Sequence, residues 1–163
     1  MTSVKAAFAW LRDAAGAILW PILRDEPSRG DLDPVLEVRA MKWGNLQLLL
    51  AEAFRVQGFH VTAVGAESDD MVLVKDDGTY LVDCRHWRSS EVGANAAGRL
   101  YGAMGRIDAK AGFVITTGKF TPDALEFARG LNVELIGGRE LARRLEMAKE
   151  TISGALPVRP LAR

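Results

Sequence analysis

Two carboxylates and a cation stand close together in residues 69–87, which read Asp-Asp-Met-Val-Leu-Val-Lys-Asp-Asp-Gly-Thr-Tyr-Leu-Val-Asp-Cys-Arg-His-Trp. An Asp-Gly step between alternating apolar runs signals a tight β-hairpin. Strand side chains alternate, so Asp83 and Arg85 share one face while Val82 and Cys84 take the other. With Asp77-Gly78 as a two-residue turn, Val74 pairs with Leu81 and Asp70 lies opposite Arg85. Asp70, Asp83 and Arg85 then share a face, and that set can hold a divalent metal beside a phosphate. The same charges also suit a solvated hairpin end with an ordinary Asp70–Arg85 cross-strand ion pair. On the hairpin alone, that plainer reading comes first.

The elements that must position these residues follow from the rest of the chain. At 163 residues, with 48% apolar and 26% charged content, the expectation is one ordinary globular domain with a terminal appendage. Lys+Arg and Asp+Glu balance at 21 each, so a nucleic-acid partner would need a local basic patch. One cysteine, Cys84, excludes an internal disulfide and a cysteine-based zinc site. Two histidines, His60 and His86, make a histidine metal cage equally poor. A reducing, cytoplasmic setting is expected. The apolar run from Ala14 to Leu23 is bracketed by Arg12, Asp13 and Arg24, interrupted by Pro21, and too short for a membrane span. No signal peptide is evident. Residues 1–24 read as an amphipathic helix carrying Phe8, Trp10, Leu11, Ile18, Leu19 and Trp20, able to pack on the domain, a second copy or a membrane surface. Packing on protein is the expectation, which makes it a candidate homodimer contact.

Residues 25–38 read as a linker rich in breakers and charge, and 39–148 as the folded domain. Trp43 to Val56 has helical apolar spacing, closed by Gly58. His60–Val64 alternates as a strand ahead of the hairpin. Ser89-Ser90-Glu91 suits a helix start running from Val92 to Ala109, with Gly98, Gly102 and Gly105 explained by close approach to the sheet. Phe113-Val114-Ile115 reads as a buried strand, 116–120 as a loop, and Thr121-Pro122-Asp123 as a capped helix start. Val133–Ile136 is another strand, Arg139 to Ala148 a last helix, and 149–163 a flexible tail. A hairpin followed by βα units implies an α/β fold, a mixed sheet with helices on both faces.

Several segments together resemble the catalytic domain of Mrr-type (type IV) restriction endonucleases, in the PD-(D/E)xK nuclease superfamily. Met41-Lys42-Trp43 followed by Ala51-Glu52-Ala53-Phe54-Arg55-Val56-Gln57-Gly58-Phe59 resembles the family's opening helix. Tyr80-Leu81-Val82-Asp83-Cys84-Arg85-His86-Trp87 resembles its Tyr-Leu-Val-Gln-Cys-Lys-Arg-Trp strand. Leu100-Tyr101-Gly102, Thr116-Thr117-Gly118, Phe120-Thr121-Pro122-Asp123-Ala124 and Phe127-Ala128-Arg129-Gly130 resemble further segments, so the likeness covers roughly residues 41–143. It implies a restriction-endonuclease-like mixed sheet, a double-stranded DNA substrate and Mg²⁺, with Mn²⁺ as a substitute. The family typically has a helix glutamate, an aspartate before the first hairpin strand and a Gln/Glu-x-Lys pair on the second. Here those positions are Gln47, Asp70 and Asp83-x-Arg85, and Gly137-Gly138 replaces a common Asp-Gly.

The resemblance implies a metal held by Asp70, Asp83 and the carbonyl of Cys84. Arg85 could stabilise phosphate charge as lysine does, but a guanidinium holds its proton too tightly to be a base. Gln47 can orient a water but brings the metal no charge. Cys84 otherwise reads as a small core residue. His86 either faces with Cys84 or contacts phosphate at the strand end, while Trp87, Arg88, Lys110 and Lys119 either grip a DNA backbone or are plain surface. Lys119 sits beside a helix start, which favours an anion slightly. Three readings stay open: a Mg²⁺-dependent DNA endonuclease with an altered, slower site; a nuclease fold that binds DNA without cutting; and a protein-assembly module.

Overall fold

The computed structural model describes residues 33–64 and 70–155; the expected N-terminal helix and the expected turn at Gly65–Ser68 lie outside them. Among the described residues the order is α1 (Pro34–Ala40), α2 (Trp43–Val56), β1 (His60–Val64), β2 (Asp70–Lys75), β3 (Gly78–Asp83), β4 (Glu91–Val92), α3 (Ala94–Arg106), β5 (Ala111–Ile115), β6 (Lys119–Phe120), α4 (Pro122–Ala128), β7 (Val133–Ile136) and α5 (Gly138–Ala155). The main sheet runs β1-β2-β3-β5-β7. β1, β2 and β3 pair antiparallel, then β5 and β7 add parallel to β3. This is the mixed α/β sheet that the order of elements required.

Alternation along each strand divides the core in two. Met71, Leu73, Tyr80 and Val82 join α2 and α5 residues such as Leu46, Leu50, Leu141 and Leu145 in one layer. Leu81, Val114 and half-buried Val72 join Ala96, Ala97, Leu100 and Met104 of α3 in the other. Phe113 reaches the first layer, where it tilts against Phe54 at 5.1 Å. Burying four such side chains removes on the order of 1.5–3 kcal/mol of exposed apolar cost each, which is what fixes the strand faces.

Several local expectations need correction. The hairpin turn is Asp76-Asp77, with Lys75 opposite Gly78, so Val74 pairs with Thr79 and Asp70 with Asp83. A type I′ turn at Asp77-Gly78 needs positive φ at both positions. Instead Gly78 alone takes it, at φ 149°, as the first strand residue. The turn is held by the Tyr80 hydroxyl donating to Asp77 at 2.9 Å and by a Lys110–Asp77 ion pair. Residues 34–40, taken as mostly linker, are a helix: Pro34 is its first residue and Asp33 caps it, accepting the Val35 N–H at 3.0 Å. Glu91-Val92 does not open a helix but pairs parallel with Lys119-Phe120, a strand in place of the expected loop. The final helix runs on to Ala155 because Ala148 and Ile152, 1% and 9% exposed, continue its apolar stripe into what was read as tail.

The glycine expectation also changes. A Cβ on Gly102 or Gly105 would meet nothing within 4 Å, so the sheet is not what requires them. The tight approach is on the strand: a Cβ on Gly112 would lie 2.7 Å from Met104 Sδ and 2.8 Å from Leu100 Cδ2. At Gly118 it would run into the backbone carbonyls of Ser89 and Ser90. Gly102→Ala is therefore expected to stabilise by about 0.5–1 kcal/mol, and Gly118→Ala to destabilise by about 3 kcal/mol or more. Urea unfolding of the two variants against the parent checks both.

α5 is tied to β7 through Arg144, which pairs with Glu134 at 2.5 Å and Glu140 at 2.6 Å. Hydrogen bonds from Arg143 and Arg144 hold the Glu140 carboxyl down at about 2, from an ordinary 4.5. A depressed carboxylate contributes stability above its unfolded pKa and loses it as pH falls through the folded one. The stability gap between parent and Glu140→Gln should thus be flat above about pH 5 and close between about pH 4.5 and 2. Chemical denaturation across that range reads it.

Candidate functional site

The two-residue register difference brings Asp70 and Asp83 directly opposite each other rather than placing Asp70 against Arg85. Both alternate with residues of the α3 layer, Asp70 with Val72 and Asp83 with Leu81. Asp83 is 1% exposed, at the last position of β3, and the Asp70 side chain is 25% exposed. Like charges directly across a strand pair destabilise it. A burial this deep needs the charge paired and hydrogen-bonded.

Arg85 meets that need, though not by strand alternation. β3 stops at Asp83 and residues 85–88 form a turn. Oδ1 of Asp83 accepts the Arg85 backbone N–H at 3.0 Å and its Nε–H at 3.2 Å. Oδ2 accepts Nη2–H at 3.0 Å. The same Nε lies 3.6 Å from Asp70 Oδ1. The guanidinium fork therefore spans the carboxylate pair, so the three residues meet, but Arg85 arrives by the turn and not by a shared strand face.

The turn itself is pinned from β5. Thr117 donates to the Trp87 carbonyl through both its backbone N–H and its hydroxyl, each at 2.7 Å. Thr116, fully buried, donates its hydroxyl to the Ser89 carbonyl at 3.0 Å. The Cys84 side chain is buried in the opposite layer with α2 and α5. Its carbonyl, the expected ligand oxygen, accepts the Trp87 N–H at 3.0 Å. A carbonyl oxygen has two lone pairs, so this bond and a ligand role are compatible.

The other candidates scatter. Trp87 is 6% exposed and stacks on Trp43 with centroids 6.0 Å apart, so its ring belongs to the core rather than to a binding surface. Arg88 lies over that ring at 4.4 Å and donates to the Met41 carbonyl at 2.6 Å. His86 is half-buried and its Nε2 meets Arg99 Nη2 at 2.5 Å. A guanidinium can only donate, so this contact needs a neutral imidazole with its proton on Nδ1. Lys119 is exposed on β6. Gln47 is half-buried on α2, whose apolar side covers the face of the sheet opposite to Asp70 and Asp83. The Trp43–Trp87 stack does bring the start of α2 to the carboxylate end of β3. Arg99 is the residue that sequence reading missed. It sits on α3, and only the packing of α3 against the turn reveals it.

Donor chemistry suits a hard divalent cation: two carboxylates and a carbonyl are the oxygen donors that Mg²⁺ takes, with water completing its shell. No group of three or more His, Cys, Asp or Glu is placed to hold an ion among the described residues. No described helix is long and apolar enough to cross a membrane. A family model described as a restriction endonuclease, the Mrr catalytic domain, matches residues 38–145. No curated protein matches the chain at a significant level.

Because Asp83 is buried and takes every hydrogen bond of the Arg85 fork described above, Asp83→Ala is expected to destabilise by about 1–3 kcal/mol. The 37% exposure of Arg85 lets water recover part of the loss. Asp70→Ala, at a carboxylate 25% exposed and 3.6 Å from the guanidinium, should cost less. Urea denaturation of both variants orders them.

Proposed function

Because this chain belongs to the Mrr-type restriction endonuclease catalytic domains of the PD-(D/E)xK superfamily, we propose that it hydrolyses phosphodiester bonds in double-stranded DNA with Mg²⁺, or Mn²⁺ in its place, at a rate lowered by its altered site. The observation that supports this most is the opposed Asp70–Asp83 pair with Arg85 across it. Restriction endonucleases of this family generally work with a divalent metal. When bound, such an ion activates a water and offsets charge on the phosphorus oxygens.

Asp70, Asp83 and the Cys84 carbonyl are the residues that would hold it. Arg85 presents a planar fork to the phosphate and stabilises the charge that develops there, but it moves no proton. Gln47 has the lesser role of orienting a water from the start of α2. His86, Arg88 and Lys119 supply backbone contacts, and Trp87 acts by fixing Arg88 rather than by stacking on a base. The apolar N-terminal segment, outside the described residues, is the proposed contact between two copies.

A second reading, DNA binding without cleavage, is favoured by one feature: the Arg85 fork already satisfies Asp83. Nicking of supercoiled plasmid in Mg²⁺ or Mn²⁺, with binding measured in parallel, separates the two. Slow nicking by the parent and none by Asp70→Asn is expected. Arg85→Lys places a compact ammonium beside the carboxylates, and Gln47→Glu adds a helix carboxylate. The double variant should nick at least about tenfold faster than either single one, because both groups act on one metal and one phosphate. If all four proteins of that cycle bind DNA and leave plasmid intact, the domain is a binding module. Binding that does not weaken as salt rises points to assembly instead.

A further inference from the structure

We infer that Arg85 is a latch on the carboxylate pair: it is the resident cation there, and a divalent ion must displace it. The inference rests on the reading of Asp70 and Asp83 as the metal-holding pair. The guanidinium meets both oxygens of Asp83, at 3.2 Å and 3.0 Å, and reaches Asp70 at 3.6 Å. Oδ1 of Asp83 also carries the Arg85 backbone N–H at 3.0 Å, so that oxygen already accepts two donors. Asp83 is 1% exposed, and the fork comes from the one side chain of this set that is substantially in solvent, at 37%.

Mg²⁺ requires near-octahedral geometry and keeps several waters. It cannot share the Asp83 oxygens with a coplanar fork of N–H donors, and two cations on one pair repel. Release of the fork frees both carboxylates while the backbone N–H bond stays and keeps Asp83 in place. Once released, the guanidinium needs a new anionic acceptor offering two oxygens, and the two non-bridging oxygens of a phosphodiester fit its bidentate geometry. Phosphate and metal thus each assist the other through one side chain, and the coupling is reciprocal. An ammonium at this position cannot bridge both carboxylates as a fork does, so Arg85→Lys loosens the latch without removing the charge.

Calorimetric titration of the full chain with Mn²⁺ alone, without DNA, tests this directly. The parent should bind weakly. Arg85→Gln should bind at least about tenfold tighter, since a competing positive charge is gone, and Arg85→Lys should fall between. The gain must vanish in Arg85→Gln combined with Asp70→Asn. Thermal melting gives a second reading: Mn²⁺ should raise the melting temperature of Arg85→Gln and leave the parent nearly unmoved. Mn²⁺ should also tighten binding of a short DNA duplex by the parent but not by Arg85→Gln. If the parent binds Mn²⁺ as tightly as Arg85→Gln, the latch is refuted while the metal site stands. If no variant binds Mn²⁺, the carboxylate pair is not a metal site and the latch falls with it. Should Arg85→Gln not fold, the parent against Arg85→Lys decides, equal affinities overturning the latch.

Discussion

Two carboxylates set face to face across an antiparallel strand pair repel, and one of them, Asp83, is almost wholly removed from water. Neither condition is tolerable without a cation within hydrogen-bond reach. Arg85, two residues on, supplies it by folding back on its own strand end. Much of the surrounding architecture follows. The strand must stop at Asp83 so that the chain can turn, and the turn must be rigid if the fork is to stay on both carboxylates. Charge-assisted pairs of this kind are about twice as strong as neutral ones, but only while geometry holds.

Rigidity comes from the neighbouring strand. Thr116 and Thr117 follow β5 directly and are buried, an expensive place for hydroxyls unless each is bonded. Both donate to carbonyls of the 85–88 turn and the residue after it, Trp87 and Ser89. The backbone at Gly118 then passes so close to Ser89 and Ser90 that a side chain has no room. Gly138 is held the same way against the Thr117 carbonyl, at the start of α5. Three successive strand ends are thereby locked to one another, and the Asp83–Arg85 unit inherits their order. Trp87 has its place in this frame too. Its burial between Trp43 and Arg88 joins the turn to the start of α2.

The layers and most of the elements were legible in the sequence because they rest on periodicity: α2, β1, β7 and the start of α4 fall where apolar spacing and caps put them. The misreadings share a cause. Gly78 looked like a turn residue but serves as the first residue of a strand, because the Tyr80–Asp77–Lys110 contacts stabilise a turn one step earlier. Glu91-Val92 looked like a helix start but is claimed by Lys119-Phe120, a partner far along the chain. Pro34 looked like a breaker but opens a helix because Asp33 caps it. In each case a tertiary or capping contact outweighed local propensity. At the site, Asp70 and Asp83 fall on one face as expected, since a shift of two residues preserves which face a strand residue occupies, whereas Arg85 joins them through the turn. The fork within Asp83-x-Arg85 was not legible, because alternation says where side chains point only while the strand lasts.

That distinction decides how the altered positions weigh against one another. The carboxylates lie in the α3 layer, whereas Gln47 comes from α2 on the other side of the sheet. A sheet separates its two faces everywhere except at its ends. Position 47 can therefore influence the carboxylates only around the end of β3, where the Trp43–Trp87 stack brings α2 close. Position 85 touches both carboxylates already. A lysine there carries its charge at one point and can rest on one carboxylate while leaving the other to a metal. The arginine spreads its charge over a plane and engages the pair at once. The substitution thus keeps the sign of the charge and changes what the charge occupies, which is why Arg85 outweighs Gln47 in setting the chemistry of this site.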